Sequence, residues 1–159
     1  MHRPSVCLLL SLTLLACSDD ARRNTTGAIV TEGVVDVFAM KVGDCFNDEL
    51  SEPREVTTTV GEVPGVPCEE PHDNEIFASY RIALDEFPGD EALSSLARKG
   101  CVQRFASFVG RSYDTSILDT FALYPTRRSW VQQKDRDVMC AIYREDEEKM
   151  TGTMRDAEI

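Results

Sequence analysis

His72 stands beside Asp73, with Glu75 two positions further on. An imidazole that titrates near neutrality, next to a carboxylate, is the elementary form of a general base with its orienting partner. A metal-ligand reading of His72, Asp73 and Glu75 is weaker. Neighbours on an extended segment point apart, and the only other histidine, His2, lies in the leader. No metal is expected. No serine sits in a G-x-S-x-G context and no glycine-rich phosphate loop is present, so no catalytic residue and no cofactor are assigned. A structural His72, hydrogen-bonded to nearby backbone, accounts better for a lone histidine. Further along, Trp130 is the single tryptophan, and Arg127 and Arg128 precede it. Trp and Arg are the residue types enriched at binding hot spots, so these three join His72 and Asp73 as possible binding residues; a Trp in the core and a solvated Arg pair are the plainer readings.

The cysteines carry the other chemistry. Val6 to Leu15 is an apolar run after the basic His2-Arg3, too short to span a bilayer and proportioned as a signal-peptide core. It ends in Leu14-Leu15-Ala16-Cys17, which resembles the lipobox of bacterial lipoprotein precursors. That resemblance implies a diacylglycerol on the Cys17 thiol, cleavage before it, and a stable membrane anchor outside the cytoplasm, since two chains bury many methylenes at about 0.8 kcal/mol each. Cys7 leaves with residues 1–16. Four cysteines remain, Cys45, Cys68, Cys101 and Cys140, and an even number in an exported chain argues for two disulfides with three possible connectivities. A zinc site lacks any C-x-x-C pair.

All 28 acidic residues and 16 of the 17 basic ones follow Cys17, a formal charge of −12 for the mature chain. Such a surface is repelled by nucleic acid and by anionic headgroups, so no nucleic-acid partner is expected. At 159 residues and 42% hydrophobic, the chain has room for one domain.

The elements that must hold these residues follow from pattern. Residues 17–33 are polar and without period, which reads as a flexible tether to the anchor, and residues 145–159 read as an acidic disordered tail. Between them, 34–144 reads as the folded domain. Val34 to Val42 and Val56 to Val63 have strand composition, the second ending at Pro64-Gly65. Ile76, Ala78, Tyr80 and Ile82 alternate with polar positions as a half-buried strand, Phe77 being the exception. Asp90 is placed to cap a helix whose stripe runs Leu93, Leu96, Ala97, Cys101, Phe105, Phe108 and which ends near Gly110. Leu118 to Tyr124 and Arg136 to Tyr143 complete the set. The order β-β-β-α-β-β predicts an α+β fold: a small antiparallel sheet of about five strands with one main helix packed on one face, stapled by two disulfides. Cys101 on the helix stripe and Cys140 beside Val138 and Ile142 both face inward, which favours Cys101–Cys140 and, by proximity in the chain, Cys45–Cys68.

Three segments then carry a family resemblance: Val42-Gly43-Asp44-Cys45-Phe46; Val66-Pro67-Cys68-Glu69-Glu70-Pro71-His72-Asp73-Asn74-Glu75-Ile76-Phe77; and Pro125-Thr126 with Ser129-Trp130 and Asp135-Arg136 ahead of Cys140. In this order and spacing the chain resembles the septum-formation domain family of exported or membrane-anchored proteins. Cys101, Phe105 and Val109-Gly110 also fall where that family has a cysteine and a Phe/Val-Gly pattern. One departure is Lys134, which stands where the family commonly has the Gly of Gly-Asp-Arg. The resemblance implies a link to septum assembly and supplies no reaction. Two functional classes follow: a non-enzymatic envelope module that contacts a division or wall-synthesis protein, and, as the alternative, a cell-wall enzyme or small-ligand sensor working near His72 and Asp73.

Overall fold

The computed structural model describes residues 20–48 and 61–159, so Cys17, the leader and most of the second expected strand lie outside the described residues. The strands are β1 (Arg22–Arg23), β2 (Ile29–Thr31), β3 (Gly33–Asp36), β4 (Cys45–Phe46), β5 (Glu62–Val66), β6 (Asn74–Arg81), β7 (Leu118–Leu123) and β8 (Asp137–Arg144). The helices are α1 (Asp90–Val109) and the short α2 (Arg127–Gln132). Six strands form one antiparallel sheet in the order β3-β5-β4-β6-β8-β7, while β1 and β2 pair separately. The α+β class, the main helix and the two disulfides are as expected; the sheet has six strands instead of about five, with a two-stranded sheet besides.

Alternation on β8 shows why both faces of this sheet are covered. Cys140 and Ile142 belong to the core under α1, with Phe77, Leu93, Ala97, Cys101, Phe105 and Trp130, whereas Ala141 between them faces a second core of Ile29, Val35, Val37, Phe46, Val63 and Ile76. Phe77 is the exception to the β6 alternation because the register shifts between Ile76 and Ala78. A bulge of this kind moves the pattern by one residue. Ile76 therefore turns to the second core, while Phe77, Ala78, Tyr80 and Ile82 share the α1 side.

α1 begins one residue earlier than the capping pattern places it. Gly89 is the N-cap, Asp90 and Glu91 occupy the first turn, and Gly110 ends the helix in the left-handed region with its N–H on the Ala106 carbonyl. Leu96, read as part of the buried stripe, is exposed; the tight contact lies at Gly100 instead. The Tyr80 ring rests there, donating its hydroxyl to the Ala97 carbonyl at 3.0 Å, and a Cβ on Gly100 would meet that hydroxyl at 2.0 Å. Glycine inside a helix costs about 1 kcal/mol against alanine, which this close approach offsets.

β3 ends at Asp36, whose carboxylate accepts from the Phe38 N–H and turns Val37–Ala39 into a 3-10 helix, so the strand expected from Val34 to Val42 is short. Conversely, Pro64-Gly65 does not end its strand. Both residues lie inside β5, and a Cβ on Gly65 would sit 2.5 Å from Val35 and 2.9 Å from Ile29. The glycine is a packing residue here, not a turn.

The two ends of the chain differ most from the sequence reading. Residues 20–33 are not a free tether. Asp20 bridges Val34, Ile29 is buried in the second core, and the Arg23 guanidinium forms a bidentate ion pair with the buried Asp44 carboxylate. Residues 145–159 are not a disordered tail either. Met150 and Met154 enter the core under α1, and the His72 N–H and carbonyl pair with those of Met150. The folded unit therefore extends beyond 34–144 on both sides.

Candidate functional site

Pro71 delivers His72 from the Cys45–Cys68 disulfide into β6, and the whole His72 side chain is buried. Its Nδ1 lies 2.8 Å from the Glu70 carbonyl, an acceptor, so Nδ1 carries a proton and donates there. Among the described residues Nε2 has no hydrogen-bond partner. Asp73 does not orient this imidazole. Its carboxylate pairs with Lys149 Nζ at 2.7 Å and accepts from the Asp48 N–H at 3.0 Å. The His72 and Asp73 that the sequence sets side by side are turned to different partners, and the dyad of a general base is not formed.

Glu75, also fully buried, is the third residue of the group. One carboxylate oxygen accepts from the Thr153 hydroxyl and the other from the Met154 N–H at 2.7 Å. The Cys45 sulfur, a His72 ring nitrogen and a Glu75 oxygen lie within 4.8 Å of one another, and all three residues are buried. These are metal-ligand types, but the Cys45 sulfur is bonded to Cys68, which leaves one imidazole and one carboxylate as donors. A cavity of about 380 Å³ opens nearby between Val30, Glu32, Asn47, Val66 and Glu70, and its lining includes neither His72 nor Asp73.

The second group centres on α2. Thr126 caps the helix in a capping box with Ser129, each side chain accepting from the other's backbone N–H. Trp130 is buried, 1% exposed, and so is not an exposed anchor. The Arg136 guanidinium stacks 3.7 Å from its ring centroid, and Phe87 meets it edge-on at 5.8 Å. Arg136 donates to the carbonyls of Leu84, Trp130, Asp135 and Asp85 at 2.7 to 2.9 Å, clasping the turn after β6 to the end of α2. That role was visible only as the Asp135-Arg136 pattern following Trp130. Arg127 and Arg128 are exposed on the same helix, with Val131 and the preceding Tyr124.

Lys134, between α2 and β8, has φ of 57°, the left-handed region that favours glycine. A lysine held there costs about 1 kcal/mol. Lys134→Gly is therefore expected to stabilise the domain by about 0.5 kcal/mol, the remainder being lost to the freer unfolded chain. Urea melts of the two proteins check the sign.

Asp119 on β7 is the centre of a third cluster. Burial alone would push its carboxyl up, but donation from the Tyr113 and Tyr143 hydroxyls and the Thr120 N–H outweighs this and holds it below the ordinary carboxylate value. Tyr113 is raised by its hydrogen bond to Asp119, and Tyr143 by burial and then by the same carboxylate.

Comparison with known proteins places these groups in a wider set. The family model described as septum formation matches residues 43–158, which takes in both disulfides, α2 and the C-terminal segment. A protein named "Putative lipoprotein LppN" from Mycobacterium tuberculosis is 26% identical over 119 residues, covering 73% of this chain and 62% of its own length; its namesake in Mycobacterium bovis matches equally. The chain thus spans about three fifths of the curated relatives it matches. No solved structure matches it. Among the described residues no helix is long and apolar enough to cross a membrane.

Proposed function

The chain belongs to the septum-formation family, and on that premise we propose that it is a lipid-anchored, extracytoplasmic protein that acts by contact on a membrane-bound or exported protein of the division or wall-synthesis machinery, without turning over a substrate. The observation that carries this reading is the use to which the reactive residues are put. His72 and Glu75 are buried and bind the C-terminal segment, Asp73 holds Lys149, and the four cysteines are paired. Residues suited to recognition stand outside: Arg127, Arg128 and Val131 on α2 and Tyr124 before it, a cationic and apolar set on an acidic protein. The relatives' name supports the anchor at Cys17, and the family's description supports the setting. Attachment to the same membrane as the partner raises the effective concentration, so a weak contact is occupied.

Photo-crosslinking probes at Arg128 and at Gln133, in cells that make the full chain, are expected to capture one envelope protein of that machinery. The adduct formed from Gln133 is expected to disappear when Arg127 and Arg128 are both changed to Glu. No adduct above background, together with hydrolysis of cell-wall material by the purified protein, would overturn the reading in favour of an enzyme.

A further inference from the structure

We infer that the β1–β2–β3 corner of the domain lies directly on the lipid surface that holds Cys17, so that the β7 edge and α2 face away from the membrane. The inference rests on lipidation of Cys17 and then follows from covalent reach. Asp20 is fixed to the sheet by its bridge to Val34, with the Ala21 N–H on the Val34 carbonyl at 3.0 Å. From Cys17 to Asp20 is three residue steps, which span at most about 11 Å whatever their conformation. A free tether of sixteen residues would have a root-mean-square length of about 22 Å and a far greater maximum. A folded unit of this size has a radius of gyration of about 14 Å. The leash is therefore shorter than the domain is wide, and the domain cannot turn its far side to the bilayer.

The ordering of strands sets the orientation. β3 and β7 are the two edges of the six-stranded sheet, five inter-strand steps apart, which is about 24 Å. Fixing the β3 edge at the headgroups leaves the β7 edge, and α2 after it, at the far side. The near surface is suited to a lipid interface of low charge. Val34 beside Asp20 and Val30 beside Thr31, the strand partner of Arg22, are exposed at 38% and 51%. Asp20, Arg22 and Glu32 mix both signs around them. Tether length holds it there.

The test uses the full lipidated chain, reconstituted in vesicles of phosphatidylethanolamine and phosphatidylcholine with a fraction of headgroup-nitroxide lipid. An environment-sensitive fluorophore is placed on Val34→Cys, on Arg22→Cys as a second near position, and on Arg128→Cys as the far one. Flotation of the vesicles reads the anchor separately from the orientation. Quenching at positions 34 and 22 but not at 128, in protein that floats, is the expected result. It is expected to vanish, with flotation unchanged, when twenty Gly and Ser residues are inserted between Asp19 and Asp20. Protein that floats with equal quenching at near and far positions overturns the orientation and leaves the anchor standing. Quenching that survives the insertion overturns the argument from reach, and protein that does not float overturns the anchor and this inference with it.

Discussion

Ending the chain after Lys149 is expected to lower stability by more than about 5 kcal/mol, enough to abolish a cooperative unfolding transition at room temperature in a domain of ordinary stability. The last ten residues contribute Met150 and Met154 to the core under α1, at 3% and 7% exposed, and the loss of a buried methionine costs about 2–5 kcal/mol. Their backbone also satisfies groups elsewhere: Asp156 and Glu158 donate to the Phe108 and Val109 carbonyls at the open end of α1, and Gly152 donates to Cys68. The largest single loss falls on Glu75. Without Thr153 and Met154 its carboxylate keeps neither hydrogen bond, and a hydrogen bond to a carboxylate contributes about 1.5–3 kcal/mol. These losses overlap and do not simply add. Urea denaturation followed through Trp130, the only tryptophan and a buried one, measures the outcome. Met154→Ala gives a graded companion, expected to cost about 2–3 kcal/mol while leaving the protein folded. A truncated chain that melts like the parent would contradict the packing of this segment.

That segment also shows where a single sequence stops being legible. α1, β6, β7 and β8 were readable because each repeats its own period, 3.6 or 2, over enough residues to outweigh exceptions. The docked segment has no period. It holds Met150 and Met154 among charged and small residues, and it is held by a carboxylate and a histidine some eighty positions earlier, which no local pattern can reveal. The N-terminal pair β1–β2 fails for the same reason. Arg22-Arg23 reads as solvated charge until Asp44, twenty-one residues on and buried, receives the Arg23 guanidinium. In the candidate site, what the sequence does not disclose is each residue's company. Adjacency in sequence suggested His72 with Asp73, whereas the extended backbone sends one side chain into the core and the other toward Lys149. Trp130 and Arg136, six positions apart, are the pair that the fold brings together.

Replacing Cys101 and Cys140 together by alanine is expected to cost about 4 kcal/mol. The bond spans 39 positions, and closing a loop of that length removes about 13 cal/mol/K of chain entropy from the unfolded state, or about 4 kcal/mol at 25 °C. The 23-position Cys45–Cys68 bond, by the same relation, is worth about 3 kcal/mol. Position makes the difference larger in practice. Cys101 and Cys140 are both fully buried between α1 and β8, flanked by Ala97, Phe105, Val138 and Ile142, so their removal also leaves a small void where sulfur was packed. Burial gives the two bonds different lability as well. Cys68 is partly exposed, while both sulfurs of the other bridge are sealed, so a mild reductant reaches the first in the native state and the second only through unfolding. Timed alkylation under mild reduction is therefore expected to label Cys45 and Cys68 first, with Cys101 and Cys140 appearing at the rate of global unfolding measured in the same buffer. Simultaneous labelling of all four would mean that one opening event exposes both bridges, and that the loop from β4 to β6 is no weaker a part of the domain than the core beneath α1.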